Sequence, residues 1–343
     1  MLCEESVSEF YKNKIEEEEK YTKNGPLKRV IYKDKLYESS MKYGVKNDFA
    51  GDDLYAINDS NTILHKYKNR LLVLVTNQCA CECAYCFRQV NRRTSIVQLS
   101  IEEITKNVIN YLKEHKFVKE VILSGGDPIL LGKEKIEYFL QKISSETHIK
   151  DFRLHTRTIV YSPSLITQDI IELLAKYNIR LVFHIVHPYE ICKCVENKIK
   201  EIQKKGIRCY NQFPMLRGIN DHIDIIVCLL YKLDNCGVRN LSIFVTDPLN
   251  CIEEYRVSIK RCYNMWQELE TEYPAWMNST KMVFDSAIGK VNIKDLLEYD
   301  EEKCGYWFKR AGEKIFFNDI SKDIDVPGDK EIMLWRKQFE EVK

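Results

Sequence analysis

Leu71-Leu72-Val73-Leu74-Val75-Thr76-Asn77-Gln78-Cys79-Ala80-Cys81-Glu82-Cys83-Ala84-Tyr85-Cys86 carries a short apolar run straight into a group of cysteines. The run has the length and side chains of a strand, and the cysteines occupy the loop after it. Cys79, Cys83 and Cys86 keep a CxxxCxxC spacing. Three thiolates so spaced can cap three corners of a [4Fe–4S] cluster and leave the fourth iron open to a small chelating molecule. Cys81 sits inside the motif, a bystander by this spacing or a replacement ligand for a neighbour. The pairs Cys81-x-Cys83 and Cys83-x-x-Cys86 also suit a zinc knuckle, but a closed zinc site needs a fourth ligand, usually from a second pair. The other close pair, Cys192-x-Cys194, lies far along the chain in a polar stretch.

Outward from this stretch, short apolar runs alternate with amphipathic segments. The strand-like runs are Leu71–Val75, Glu120–Leu123, Phe152–His155, Arg180–Ile185, Ile207–Gln212 and Leu241–Val245. Between them fall helix-length segments such as Ile101–Glu114, Ile136–Ser144, Ile170–Tyr177 and Asp224–Leu233. Repeated strand–helix units imply a parallel sheet, because each crossover returns the chain to the same end. Six such units predict an α/β fold, a partial (β/α)6 TIM-type barrel with its chemistry on loops at the C-terminal ends of the strands. Residues 1–60 are expected to form a helical and irregular N-terminal extension and 61–275 the core barrel. Residues 276–343 are expected to form a small C-terminal segment with a further strand candidate, Lys281–Phe284. The charged run Ile15–Lys20 reads as the solvated face of an N-terminal helix.

The chain has 343 residues, 45% of them apolar, enough for a large core, and a net charge of +1. That near-neutral balance argues against general attraction to nucleic acid or membrane, and Arg92-Arg93 is too small a basic patch to argue for RNA. Thirteen cysteines without an apolar N-terminal segment point to a reducing, cytoplasmic setting. No run reaches the roughly 18–20 apolar residues of a membrane span.

Ser124-Gly125-Gly126-Asp127-Pro128 follows the second strand, where glycines permit close backbone approach to a ligand. Together with the cysteine motif it resembles the radical S-adenosylmethionine (SAM) enzymes. There the open iron binds SAM, an electron from the cluster cleaves it to a 5′-deoxyadenosyl radical, and the Gly-Gly-acid element contacts the methionyl amino group. Thr76–Cys79, Cys86-Phe87-Arg88, Ser124–Asp127, His155-Thr156-Arg157, His184–Pro188, Asn211-Gln212 and Leu216–Asp221 are similar, in order and separation, to the lysine 2,3-aminomutase family. Asp48–Asp53 and His65–Arg70 resemble its approach to the first strand. The match spans roughly 48–290 and is looser beyond Asp221.

The resemblance implies migration of an α-amino group to the β-carbon, with pyridoxal phosphate (PLP) held by a lysine. Lys290, in Phe284-Asp285-Ser286-Ala287-Ile288-Gly289-Lys290, falls at the Schiff-base position, behind a shorter glycine run than is typical of the family. Lys66 and Arg70 match phosphate-contacting positions, Lys66 being a point charge where a fork is usual. Tyr67 matches a tyrosine beside the cofactor. Gly125, Gly126, Asp127, His184 and Gln212 match positions around SAM. Arg88 matches the residue binding the substrate carboxylate, and Asp221 and Asp285 match two aspartates holding the distal ammonium of lysine. Asn220-Asp221 can also be read as a helix cap before Ile223. Two such carboxylates would reject neutral amino acids by roughly 10²-fold or more.

The activity so implied is conversion of L-lysine to β-lysine. Arginine, whose guanidinium would also satisfy the two aspartates, is an alternative substrate. The shorter relatives that make β-lysine for elongation factor P are another comparison, and a non-catalytic iron–sulfur or zinc-binding module is the reading from a different class. The implied partners are a small amino acid and a reductant such as flavodoxin or ferredoxin. Homo-oligomers occur in the family, but Glu301–Lys343 differs from the longer members that assemble through their termini, so their tetramer is not carried over.

Overall fold

The computed structural model describes residues 7–33, 51–57, 60–88, 99–320 and 325–335. Asp48–Ala50 and Arg92-Arg93 lie outside them. Two helices come first, α1 (Glu9–Glu19) and α2 (Pro26–Ile31), then strands β1 (Ile63–Tyr67) and β2 (Arg70–Thr76). Helix and strand then alternate through α3 (Ile101–Glu114), β3 (Glu120–Gly125), α4 (Gly132–Glu146) and β4 (Asp151–Thr156). A single turn α5 (Thr158–Tyr161) and helix α6 (Gln168–Lys176) lead to β5 (Arg180–Phe183), α7 (Lys193–Lys204) and β6 (Arg208–Pro214). Helix α8 (Ile223–Asn235), β7 (Arg239–Phe244), α9 (Ile259–Glu272), β8 (Lys281–Phe284) and β9 (Val291–Asn292) complete the main sheet. A separate antiparallel meander, β10 (Leu296–Asp300), β11 (Gly305–Arg310) and β12 (Glu313–Asn318), is followed by the turn α10 (Lys330–Met333).

The main sheet keeps chain order from β1 to β9. Strands β2 to β8 pair parallel, while β1 and β9 lie antiparallel on the two edges. The sheet does not close on itself, which makes it a partial TIM-type barrel of the α/β class. All six expected parallel strands are present. A seventh, β8, comes from the stretch read as a C-terminal segment, because α9 is one more crossover and Met282, Val283 and Phe284 need burial.

Local sequence explains the outer layer. Helix α3 starts on a capping box in which Ser100 and Glu103 satisfy each other's backbone N–H groups, and it buries Ile101, Ile104, Val108 and Leu112 on one stripe. Strand β4 alternates: Phe152 and Leu154 are buried, while Arg153 and His155 project from the opposite face. That second face is unusually polar for a parallel strand, where both faces are normally apolar.

The N-terminal helices are packed onto this scaffold. Tyr11 of α1 is fully buried, its ring edge-on to Tyr161 at 4.9 Å. The charged run of α1 is not wholly solvated as expected. Glu18 is buried, and its carboxylate accepts from Leu27 N at 3.0 Å and Lys28 N at 2.9 Å. It thereby caps α2, whose N-cap Gly25 offers no side chain. Burial pushes Glu18 up to about 7. Among the described residues no helix is long and apolar enough to cross a membrane.

The Gly125-Gly126 turn packs on backbone rather than side chains. A Cβ on Gly126 would lie 2.2 Å from the Gln78 carbonyl oxygen, and Gly125 has φ of +109°. Gly126→Ala is therefore expected to cost about 1–3 kcal/mol and to lower Tm in thermal unfolding. A variant melting with the wild type would show that this contact has slack.

Candidate active site

The cysteine loop leaves β2 at Thr76. Cys79, Cys83 and Cys86 are partly exposed, whereas Cys81 is buried at 1% exposure and its thiol is pushed up by burial. That separates three partly exposed thiols from one core residue. Among the described residues no three His, Cys, Asp or Glu side chains gather tightly enough for a single ion. A mononuclear zinc needs every sulfur about 2.3 Å from one centre, whereas a cubane presents its irons at separate corners and accepts a wider set of thiolates. Three cysteine sulfurs on one loop are the donor chemistry that three corners of a [4Fe–4S] cluster take. Burial raises the Cys83 thiol, while the nearby Arg157 guanidinium opposes that shift.

Behind the loop, the Gly-Gly-Asp element serves the scaffold. Gly126 N donates to Thr76 O at 2.6 Å and Asp127 N to Gln78 O at 2.7 Å. The Gly-Gly-Asp element, Asp127 included, was expected to contact the SAM amino group, without that contact being assigned to the carboxylate. The Asp127 carboxylate is buried, accepting from Ile129 N (3.2 Å), Thr156 Oγ1 (2.8 Å), Arg157 N (2.8 Å) and Thr158 N (2.8 Å). Those donors fill its lone pairs, so Asp127 orders the ends of β3 and β4.

The barrel interior is lined by polar side chains from successive strands. His155 Nδ1 lies 3.5 Å from Gln212 Nε2, and the His184 ring stacks on Tyr85 at 5.9 Å. His155 Nε2 and His184 Nε2 are both buried without a hydrogen-bond partner among the described residues. A buried polar atom left so costs about 1–3 kcal/mol, which suits an interior built to receive a polar ligand. Burial lowers His184 to about 3, with Arg157 adding to the effect, and burial followed by Arg153 and Lys290 lowers His155 strongly. Both rings are neutral near pH 7.

A second group of residues meets at the open side of the barrel. Arg70 begins β2 and Thr76 ends it, so Lys66, Tyr67 and Arg70 come from the end opposite the cysteines. The site therefore extends beyond the C-terminal loops where the fold class alone would put it. Lys290 N donates to the Tyr67 hydroxyl at 3.0 Å, and the Arg70 guanidinium lies 3.9 Å from the Tyr67 ring centroid. The Lys290 ammonium sits 4.2 Å above the Phe244 ring. Burial lowers the Lys290 amine to about 8, although Asp285 pulls the other way. Tyr55 Oη donates to Ala287 O at 2.6 Å, while Arg310 bonds to Ile288 O at 3.3 Å and to Lys290 O, clamping the shortened 285–290 loop.

Two of the substrate-facing expectations look different in place. Arg88 Nη1 pairs with Asp52 Oδ2 at 3.1 Å, so its guanidinium already has a carboxylate. Asp221 is a correction. Its Oδ2 accepts from Arg261 Nη2 at 2.8 Å and Gly328 N at 3.0 Å, and its Oδ1 from Gly218 N at 2.7 Å. Arg261 also holds Asp325. A fully buried carboxylate so satisfied is not available to a distal ammonium. It is not the helix cap either, since His222 caps α8 through Asp224 N at 3.2 Å.

Asp247, Phe244 and Arg310 were not singled out, and Asp52 and His155 were quoted only within longer stretches. Asp247 follows β7 just as Asp285 follows β8, and β7 and β8 are neighbours. Burial pushes the Asp247 carboxyl well above the usual range and Asp285 adds to the shift, while Lys66 opposes it. The period of alternation around Phe244 could have flagged Asp247; Asp52 and Arg310 carried no local signal. A direct check is available on Lys290. At pH 8 about half of a lysine with a pKa near 8 is neutral, against well under a hundredth of an ordinary one. Brief acetic anhydride labelling at pH 8 should acylate Lys290 ahead of the surface lysines in peptide mass spectra. Labelling no faster than theirs would refute the lowered pKa.

Residues 73–227 match the radical SAM superfamily. The chain is 33% identical over 201 residues to the L-lysine 2,3-aminomutase of Buchnera aphidicola, covering 58% of each chain. It is 31% identical over 213 residues to that of Clostridium subterminale, covering 61% of this chain and 51% of the relative. The chain thus spans little more than half the length of these two relatives. A radical SAM methyltransferase from Sphaerobacter thermophilus superposes with a TM-score of 0.48 at 15% identity, over 65% of this chain and 68% of that one. Residues 73–227, which carry the three-cysteine loop on a partial barrel, are a radical SAM domain, and the chain is related to the lysine 2,3-aminomutases.

Proposed function

We propose that this protein is a PLP-dependent amino-acid 2,3-aminomutase acting on L-lysine. The observation that carries the reading is Lys290, whose amine is lowered to about 8 and lies 4.2 Å above the Phe244 ring, while its backbone N–H donates to the Tyr67 hydroxyl at 3.0 Å. A lysine neutral near working pH is what carbonyl condensation requires. Cys79, Cys83 and Cys86 would hold the cluster; Lys290 would hold PLP, with Lys66 and Arg70 as cations for its phosphate and Tyr67 at its side. When bound, the cluster and SAM supply a hydrogen-abstracting radical and PLP delocalises the unpaired electron during the amino shift.

The chain's own residues bind and orient. Arg88 receives the substrate carboxylate, which displaces Asp52 from an ion pair of the same chemistry. Asp285 receives the distal ammonium, with Asp247 as the second carboxylate in the place Asp221 does not fill. Desolvated carboxylates facing one another need a cation, so a neutral side chain leaves them unpaired. His155, His184 and Gln212 present neutral polar edges toward SAM and exclude water, and no proton transfer is assigned to them.

Reconstituted protein given dithionite, SAM and lysine should release 5′-deoxyadenosine and β-lysine, read by mass spectrometry. Deoxyadenosine without any β-isomer from a panel of amino acids would retain the superfamily and reject the aminomutase. Lys290→Ala should lose both turnover and borohydride trapping of added PLP while keeping its iron. Asp285→Asn should weaken lysine turnover by roughly 10²-fold in kcat/KM, and an equal loss in SAM binding would return Asp285 to a structural role.

A further inference from the structure

We infer that Tyr161 is a positioning residue that sets the reduction potential of the cluster at Cys79, Cys83 and Cys86; this rests on the cluster placement proposed above. The Tyr161 hydroxyl lies 3.0 Å from Cys83 Sγ, and its ring is buried at 1% exposure. An iron-bound thiolate sulfur can only accept, so the phenol is the donor. The Arg157 guanidinium stands 4.7 Å from the Tyr161 ring centroid and 5.8 Å from that of Tyr85, inside the same buried shell. Hydrogen bonds to ligand sulfurs and net nearby charge are two of the levers on cluster potential.

Reduction adds one negative charge to the cluster. A donated hydrogen bond stabilises the reduced state more than the oxidised one, which raises the potential and eases electron entry. The electron comes from an external one-electron reductant; no bond breaks, and Tyr161 keeps its proton. The arrangement is held from three sides. Asp127 accepts from Arg157 N and Thr158 N and so fixes the turn α5. Arg157 pairs with the fully buried Glu190, which also accepts from the Tyr11 hydroxyl at 2.9 Å. Ser8 Oγ bonds to Tyr161 O. Helix α1 is thereby part of the second layer around the cysteine loop, a role its sequence did not suggest.

The test is an EPR-monitored redox titration of anaerobically reconstituted wild type and Tyr161→Phe, with iron and sulfide counted in both. Loss of one hydrogen bond to a charged acceptor should lower the midpoint enough to cut the reduced-to-oxidised ratio at fixed potential by roughly tenfold, about 59 mV for a one-electron couple, at unchanged iron content. An unmoved midpoint at full iron content overturns the inference and leaves the cluster reading standing. Should Tyr161→Phe fail to take up iron, proton ENDOR of the reduced wild-type cluster decides: a strongly coupled exchangeable proton, lost on deuteration, supports the phenol hydrogen bond to Cys83 and its absence overturns it. Wild-type protein that takes up no iron–sulfur cluster sinks both.

Discussion

The Asp127 carboxylate accepts from Thr156 Oγ1, Arg157 N and Thr158 N, while its own N–H reaches back to Gln78 O. One residue therefore ties the C-terminal ends of β2, β3 and β4 to each other. The cysteine loop, the Gly-Gly turn and the α5 turn all depend on this junction, because each begins where one of those strands stops. Burial of the carboxylate is tolerable only while all four donors are present, so the junction forms as a unit or not at all. The loops that begin there, the cysteine loop among them, then sit on a rigid frame.

From that junction two shells spread in opposite directions. Outward lie Arg157, Glu190, Tyr161 and Tyr11, a buried and charge-balanced layer against the cysteine loop. Inward lie His155, His184, Gln212 and Arg153, polar side chains on a barrel face that in most parallel sheets would be apolar. Neutral histidines fit such an interior. Two close imidazoliums beside Arg153 and Lys290 would repel, and burial removes the charge first. The same balance lowers Lys290, where neighbouring guanidinium groups and burial outweigh the attraction of Asp285.

Much of this could be read along the chain. The cysteine spacing singles out three thiols of four, the apolar runs locate six of the seven parallel strands, and Tyr67, Asp285 and Lys290 do share one site. The failures have a common cause. Asp221 was read by position in a motif, but a carboxylate's role depends on which donors surround it, and those come from residues far away in sequence. Arg261 lies 40 positions beyond Asp221 and Gly328 lies 107 beyond it. Glu18 looked solvent-facing for the same reason, since its partners Leu27 and Lys28 belong to the next helix. The β8 strand was recognised yet misplaced, because whether a strand joins a sheet depends on the crossover before it.

The sequence by itself determined periodicity and spacing: a parallel strand–helix order, a tri-thiol loop, and a lysine following an aspartate near the end of the barrel. These are local quantities, fixed by side-chain pattern within about ten residues. Only the tertiary structure decided which carboxylates are already satisfied, that Asp247 stands beside Asp285, and that the first helix braces the cysteine loop through Tyr11 and Tyr161. Such facts depend on burial and on donors contributed by distant segments, and electrostatic consequences of burial appear only once the chain has closed around the charge.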